Sequence, residues 1–328
     1  MGSTKYGSEG LYNLSSFEDS KLPLALKEAL VDMANHSLAR NTWSTYRTAY
    51  KHVENCMVDT GKNINFPMST EDVLLFVSWL LTIRGVKAAT AESYLSALRQ
   101  IHLTKGMIVP ILRPDIVKTI IMGAKHQDII KERLENKPKR IPVTVDMLKM
   151  IKIELGGMRI PQERRRLIWA VCTLNFFGGF RVHETLSKAE GYFDPAFTLL
   201  SRDIKIKQII VGKTKEKILE VKLKSPKEDK TGKTIIVDIY ESHGLLCPVK
   251  AFEKWKRTNP PEDRNKPAFR DETGTPLTGR KLNGILKMCL KKHIHYTGGS
   301  VSSHSFRSGI ASLMGTMGYS DSQIQAIG

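Results

Sequence analysis

Ser302-Ser303-His304-Ser305-Phe306-Arg307-Ser308-Gly309-Ile310-Ala311-Ser312, close to the end of the chain, is the stretch on which the reading of the fold turns. Phe306, Ile310, Leu313 and Met314 recur at helical spacing and predict one buried face. Ser302 and Ser303 are suited to cap the start of that helix. On it, His304 and Arg307 lie one turn apart on a common side, so both can reach a single bound group. A guanidinium offers a rigid fork of donors suited to a phosphate, and an imidazole gives or takes a proton near neutral pH. The same spacing also arises by chance on surface helices with two solvated polar residues. The pair therefore acquires meaning only from the rest of the chain.

At 328 residues the chain is long enough for two domains with their own cores. No apolar run approaches the length that spans a membrane, and no signal-peptide core follows the start Met, so a cytosolic or nuclear protein is expected. Cys56, Cys172, Cys247 and Cys289 are scattered without metal-ligand spacing, and neither a metal site nor a disulfide framework is expected. GxxxxGK[ST], HExxH and paired carboxylates at metal spacing are absent too, which removes support from ATP hydrolysis and two-metal nuclease chemistry; no cofactor is expected. The net charge of +18 points the other way, to a polyanion partner. It is lopsided: residues 1–134 hold 16 basic and 13 acidic residues, and 135–328 hold 35 and 20.

Residues 1–20 are rich in Gly and Ser and read as a flexible lead-in. From 21 to 130 helical periods follow one another: Leu24 to Ala34, a helix from Asn41-Thr42, one from Ser69-Thr70-Glu71-Asp72, one from Thr90, and one opened by Pro114. A compact helical bundle is predicted, with Trp and Tyr in its core. Residues 131–143, charged and proline-bearing, read as a basic linker. In 144–328 helices are predicted near Asp146–Glu154 and from Gln162 to Phe177, the latter apolar enough to be central. The period then changes to that of strands over Asp203–Val211, Ile218–Leu223 and Thr234–Ile239, with Lys224–Lys233 as a hairpin tip. Helices return at Pro248–Lys256, Leu282–Lys291, Ser305–Met314 and Asp321–Ile327. The fold class expected is a mainly α N-terminal bundle followed by an α+β domain with a small antiparallel sheet.

Two further groups join the opening pair. Arg181 follows Gly178-Gly179 at a helix break, and Glu184, three residues on, can orient its guanidinium. Residues 202–233 hold 11 basic against 5 acidic residues, a run that fits either a solvated face or a loop tip placing a lysine at a phosphate. The order is thus Arg, a hairpin Lys, then His-x-x-Arg, behind a helical domain and a basic linker.

In that order the chain resembles the tyrosine recombinase (phage integrase) family. Gly179-Phe180-Arg181-Val182-His183-Glu184-Thr185-Leu186 resembles the family's first-arginine box, Lys227 in Lys224-Ser225-Pro226-Lys227-Glu228-Asp229 its hairpin lysine, and Ser303-His304-Ser305-Phe306-Arg307-Ser308-Gly309 its His-x-x-Arg box. Gly318-Tyr319-Ser320-Asp321 through Ile327-Gly328 resembles the helix that precedes the family's next motif position. The resemblance covers roughly residues 20–328, with box wording and Phe193-Asp194-Pro195 similar to recombinases of eukaryotic mobile elements, Crypton or DIRS type. It implies a SAM-like core-binding domain that clamps duplex DNA together with a catalytic domain. It also implies a nuclear setting and assembly as a tetramer on paired sites.

The chemistry implied is attack of a tyrosine oxygen on a DNA phosphodiester, giving a 3′-phosphotyrosyl link without metal or ATP. By resemblance Arg181 and Arg307 neutralise the charge on the non-bridging oxygens, supported by Glu184, while His304 hydrogen-bonds the phosphate and assists proton transfer. Lys227 would protonate the departing 5′ oxygen, with Lys224 and Lys230 alternatives in the same loop. The family's tyrosine falls beyond Gly328, and neither Tyr296 nor Tyr319 stands where it is expected. The 328 residues are therefore expected to bind DNA and activate a phosphodiester without cleaving it. The alternatives are a non-catalytic DNA-binding or protein-interaction module and, sharing the same chemistry, a type IB topoisomerase.

Overall fold

The computed structural model describes residues 11–17, 20–38, 40–110, 112–135, 139–191, 193–195, 198–224, 234–242, 244–258, 263–291 and 299–327. The chain divides into two units, 1–137 and 138–328, with twelve α-helices and three strands among the described residues.

The first unit consists of α1 (Leu24–His36), α2 (Arg40–Thr60), α3 (Thr70–Thr82), α4 (Ala88–Thr104) and α5 (Asp115–Leu134). Local signals start α3 and α5. Ser69 Oγ accepts the Asp72 N–H at 3.1 Å and the Asp72 carboxylate accepts the Ser69 N–H at 2.9 Å, while Pro114 precedes the first turn of α5, where its missing N–H is not needed. Helix α4 begins at Ala88, two residues before the predicted Thr90. Its cap is tertiary: the Asp128 carboxylate of α5 accepts the Ala88 N–H at 2.7 Å, and Lys87 supplies no side-chain cap. The core joins Val53 and Cys56 to Val73, Phe76, Val77, Leu80, Leu95, Leu98, Ile101, Val117 and Ile121. Trp43 and Trp79 are buried, their indole N–H groups donating to Asn35 O at 2.7 Å and Asp59 Oδ2 at 3.1 Å. Part of the stretch read as a lead-in is held here. Tyr12 and Asn35 exchange two hydrogen bonds of 3.0 Å, and Ser16 Oγ donates to Thr104 O.

The second unit runs α6 (Val145–Gly157), α7 (Gln162–Phe177), α8 (Val182–Thr185), β1 (Ile204–Val211), β2 (Thr214–Leu223), β3 (Ile235–Tyr240), α9 (Pro248–Thr258), α10 (Gly279–Cys289), α11 (His304–Thr316) and α12 (Asp321–Ile327). Helix α7 is buried on nearly every side through Leu167, Ile168, Ala170, Val171, Leu174 and Phe176, and packs against α6, α9 and α11. A helix buried on all faces, as this one is from Leu167 onward, belongs at the centre, and that is where it lies. The three strands form an antiparallel sheet in the order β1-β2-β3, with Ile204 facing Val221 and Leu219 facing Ile239. Strand β2 begins at Thr214 rather than the predicted Ile218. Thr214-Lys215-Glu216-Lys217 has little strand propensity, but the tight turn at Gly212-Lys213, with Gly212 at φ +61°, closes the ladder onto Ile209, Ile210 and Val211. The stretch expected as a linker, 131–143, opens inside α5. From Lys139 it is bonded into the second unit: Ser300 N–H to Lys139 O at 2.8 Å, Ile141 N–H to Ser300 O at 2.9 Å and Val143 N–H to Ser305 O at 2.9 Å.

Candidate functional site

The end of α7 sets up Arg181. Gly178, Gly179 and Phe180 donate their N–H groups to Leu174 O, Phe176 O and Asn175 O at 2.9, 3.3 and 3.2 Å, closing off the helix. Gly179 sits at φ +62°, the left-handed region that glycine enters without strain. Gly178 is needed for a different reason: a Cβ there would lie 2.4 Å from the Phe180 ring, which folds back over it. The chain leaves this turn with Arg181 extended as the residue preceding α8. Glu184 then holds it twice, one oxygen accepting the Arg181 backbone N–H at 2.7 Å and the other facing Nη1 at 3.2 Å. The arginine and glutamate side chains are 18% and 8% exposed, so the guanidinium is oriented yet still reachable. Thr185 Oγ1 donates to the buried Asn175 Oδ1 at 2.9 Å and ties α8 to α7.

Helix α11 brings in the opening pair. Phe306, Gly309 and Met314 are buried and Ile310 and Leu313 pack partly against the core, which is the predicted face. Ser302 and Ser303 do not cap the helix. Ser303 has helical backbone angles, which aim its hydroxyl away from the free N–H groups, and both serine hydroxyls are buried without a hydrogen-bond partner among the described residues. The start of the helix is held instead by Ser305, whose Oγ accepts the Ser302 N–H at 3.2 Å, and by Asn283 Oδ1, which accepts the Ser303 N–H at 2.7 Å. His304 is exposed on the first turn. Arg307, half-buried, donates from Nη1 to Gly179 O at 3.1 Å. That one bond joins residues 128 positions apart and sets the second arginine against the turn that presents the first.

The hairpin lysine is a different case. Lys227, the candidate, lies outside the described residues, as does Lys230. Lys224 is described, and its amine is taken up: it lies 2.7 Å from the buried Asp203 Oδ2 and donates to Pro195 O at 2.9 Å. It braces the base of the hairpin. His183, which the sequence reading passed over, stands between Arg181 and Glu184. Lost hydration is the main cause that lowers its pKa below the ordinary 6.5; Glu184 opposes the shift, and Arg181, His304 and Lys188 add to it. The signal that could have revealed it is its place inside the arginine box.

No protein-family model matches the chain, and no curated protein matches it. Solved structures do. A lambda integrase dimer bound to a COC′ core site is 16% identical, with 92% of this chain and 89% of that chain covered at a TM-score of 0.54. XerH site-specific recombinase bound to difH substrate, in a pre-cleavage complex, is 14% identical, covering 98% and 88% at 0.55. The XerH post-cleavage complex on palindromic difH is 14% identical, covering 92% and 76% at 0.56. At such identities the likeness is one of fold. A helix-rich chain with a small three-stranded antiparallel sheet, this is the tyrosine recombinase fold.

Proposed function

We propose that this protein binds duplex DNA and activates one of its phosphodiesters in the manner of a tyrosine recombinase, with Arg181, His304 and Arg307 around the phosphate and Lys227 at the departing 5′ oxygen. The observation that carries the reading is the Arg307–Gly179 bond, which sets the Arg307 guanidinium against the turn that leads into Arg181. Two oriented guanidinium groups neutralise the charge that builds on the non-bridging oxygens, and Glu184 keeps the first from swinging away. His304, exposed one turn before Arg307 on the same helix, can hydrogen-bond the same phosphate. Folds similar to this one include recombinases held on their DNA substrates, and the basic excess over 135–328 suits such a partner. Recombination by a mobile element is the biological setting that this reading carries.

Fluorescence anisotropy with a duplex oligonucleotide over a salt series tests it. Affinity should fall steeply with salt, log Kd changing by about 0.9 per log unit of salt for each phosphate neutralised. The double variant Arg181→Gln/Arg307→Gln should weaken binding about tenfold or more and flatten the slope by about one, the share of the single phosphate that the pair neutralises. An unchanged slope in a variant that melts like the wild type would remove the arginines from the DNA site.

The attacking oxygen is not assigned within these residues. Tyr319 stands in the turn after α11, its N–H donating to Met314 O at 3.1 Å and its residue 45% exposed. Incubation with a nicked suicide duplex should leave no covalent adduct on a denaturing gel. An adduct that disappears in Tyr319→Phe would assign the attack to Tyr319 and overturn this part of the proposal.

A further inference from the structure

Asn175 is a polar residue in the last turn of α7, the central helix of the second unit, and is 1% exposed. A buried amide has to satisfy its donors and acceptors, and the bonds of this one frame the chain around Arg181. Its side-chain nitrogen donates to Val171 O at 2.9 Å, one turn back in α7. A carbonyl can only accept, so that bond fixes which way the amide faces and leaves Oδ1 for another donor. The donor is the Thr185 hydroxyl at 2.9 Å. The same hydroxyl has Val182 O at 3.4 Å, a longer and purely local alternative for its one proton. The backbone carbonyl of Asn175 in turn accepts the Phe180 N–H at 3.2 Å. Phe180 and Thr185 bracket Arg181–Glu184, so one buried residue holds that segment at both ends. The segment needs such support: α8 is a single turn of four residues, too short to be stable by itself.

We propose that Asn175, acting through Thr185, is a positioning residue for Arg181: it sets α8 on the end of α7 and so aims the guanidinium at the DNA phosphate. The proposal rests on the phosphodiester reading and deepens it. Two sets of bonds work in series. The Glu184 contacts orient the guanidinium on α8, and the Asn175–Thr185 bond sets α8 against α7. Arg307 is bonded to the turn that closes the same helix, through Gly179 O. Both arginines are thereby referred to one end of α7. A guanidinium serves a phosphate well only while its fork is aimed, and the groups behind it hold that aim. Thr185→Val keeps the shape of the side chain but strands Asn175 Oδ1 as a buried acceptor, and α8 then has to shift for that oxygen to find another donor.

The test is a double-mutant cycle on duplex affinity, read by anisotropy for the wild type, Thr185→Val, Arg181→Gln and the double variant, below the melting temperature of all four. Thr185→Val should weaken binding by about threefold or more, and by no more than Arg181→Gln does. In the Arg181→Gln background it should cost less than about twofold, because the guanidinium it positions is gone. Thr185→Ser keeps the hydroxyl and should bind within about twofold of the wild type. Should Thr185→Val fail to melt cooperatively, Thr185→Ala takes its place in the same cycle. A loss equally large in both backgrounds would make the Asn175–Thr185 bond a matter of stability alone and overturn the proposal. Full affinity in Thr185→Val would overturn it as well. In both cases a weakened Arg181→Gln leaves the phosphodiester reading standing. Arg181→Gln binding as the wild type does would overturn both.

Discussion

Gly309→Ala should destabilise the second unit far more than one methyl group suggests. A Cβ at this position would lie 2.1 Å from the Val143 carbonyl oxygen, 3.0 Å from its carbon and 3.1 Å from the Phe176 ring. Neither neighbour can yield cheaply. Val143 is buried and its N–H is bonded to Ser305 O at 2.9 Å, while Phe176 is sealed inside α7. Overpacking of this kind costs about 1–3 kcal/mol, and more where backbone has to move. For a unit of this size each kcal/mol lowers Tm by roughly 2–4 °C. Helix propensity alone predicts the opposite sign, since alanine is worth about 1 kcal/mol over glycine inside a helix. Gly284 of α10 supplies the control: nothing lies within 4 Å of a Cβ built there, so Gly284→Ala should hold or raise Tm. Melting curves followed by circular dichroism decide it. Gly309→Ala melting with or above the wild type would show that α11 does not meet Val143 as described. Because α11 carries His304 and Arg307, the displaced helix should also lose duplex affinity.

The lysines at 224 and 227 should separate into one that holds the fold and one that serves the phosphate. Lys224→Met removes the cation paired with Asp203, a carboxylate only 5% exposed, which still accepts the Leu200 N–H at 2.9 Å. Leaving a buried charge without its partner costs about 3–5 kcal/mol, so Tm should fall by roughly 10 °C. Adding Asp203→Asn removes the stranded charge while keeping an oxygen for Leu200, and should recover much of the loss. Lys227→Met should melt with the wild type, because the role proposed for its amine is at the DNA. A Lys224→Met variant within about one degree of the wild type would contradict the buried pair.

Much of the architecture was legible because it is set by near neighbours. The apolar periods of α3, α7 and α11 depend on residues three and four apart, and the Ser69–Asp72 capping box closes within one turn. Gly178-Gly179 announced the end of α7 for the same reason, and the order of Arg181, the lysine hairpin and His304-x-x-Arg307 named the candidate site. Where expectation and structure part, the deciding partner is remote. Ala88 starts α4 through Asp128, and β2 extends back to Thr214 because β1 lies beside it. The Ser302 and Ser303 hydroxyls lose their capping role because the approach to α11 is bent by contacts with Asn283 and Val143.

The sequence by itself determined that there is a helical unit and a mixed one, and which residue types are available for phosphate chemistry. Only the tertiary structure decided how those residues are used. It set Arg307 against Gly179 and occupied Lys224 with Asp203. Backbone sterics and side-chain period act over a few residues and can be read along the chain. The partner of a guanidinium or an amine is chosen by whichever group packing brings within about 3 Å, and here that group lies up to 128 positions away.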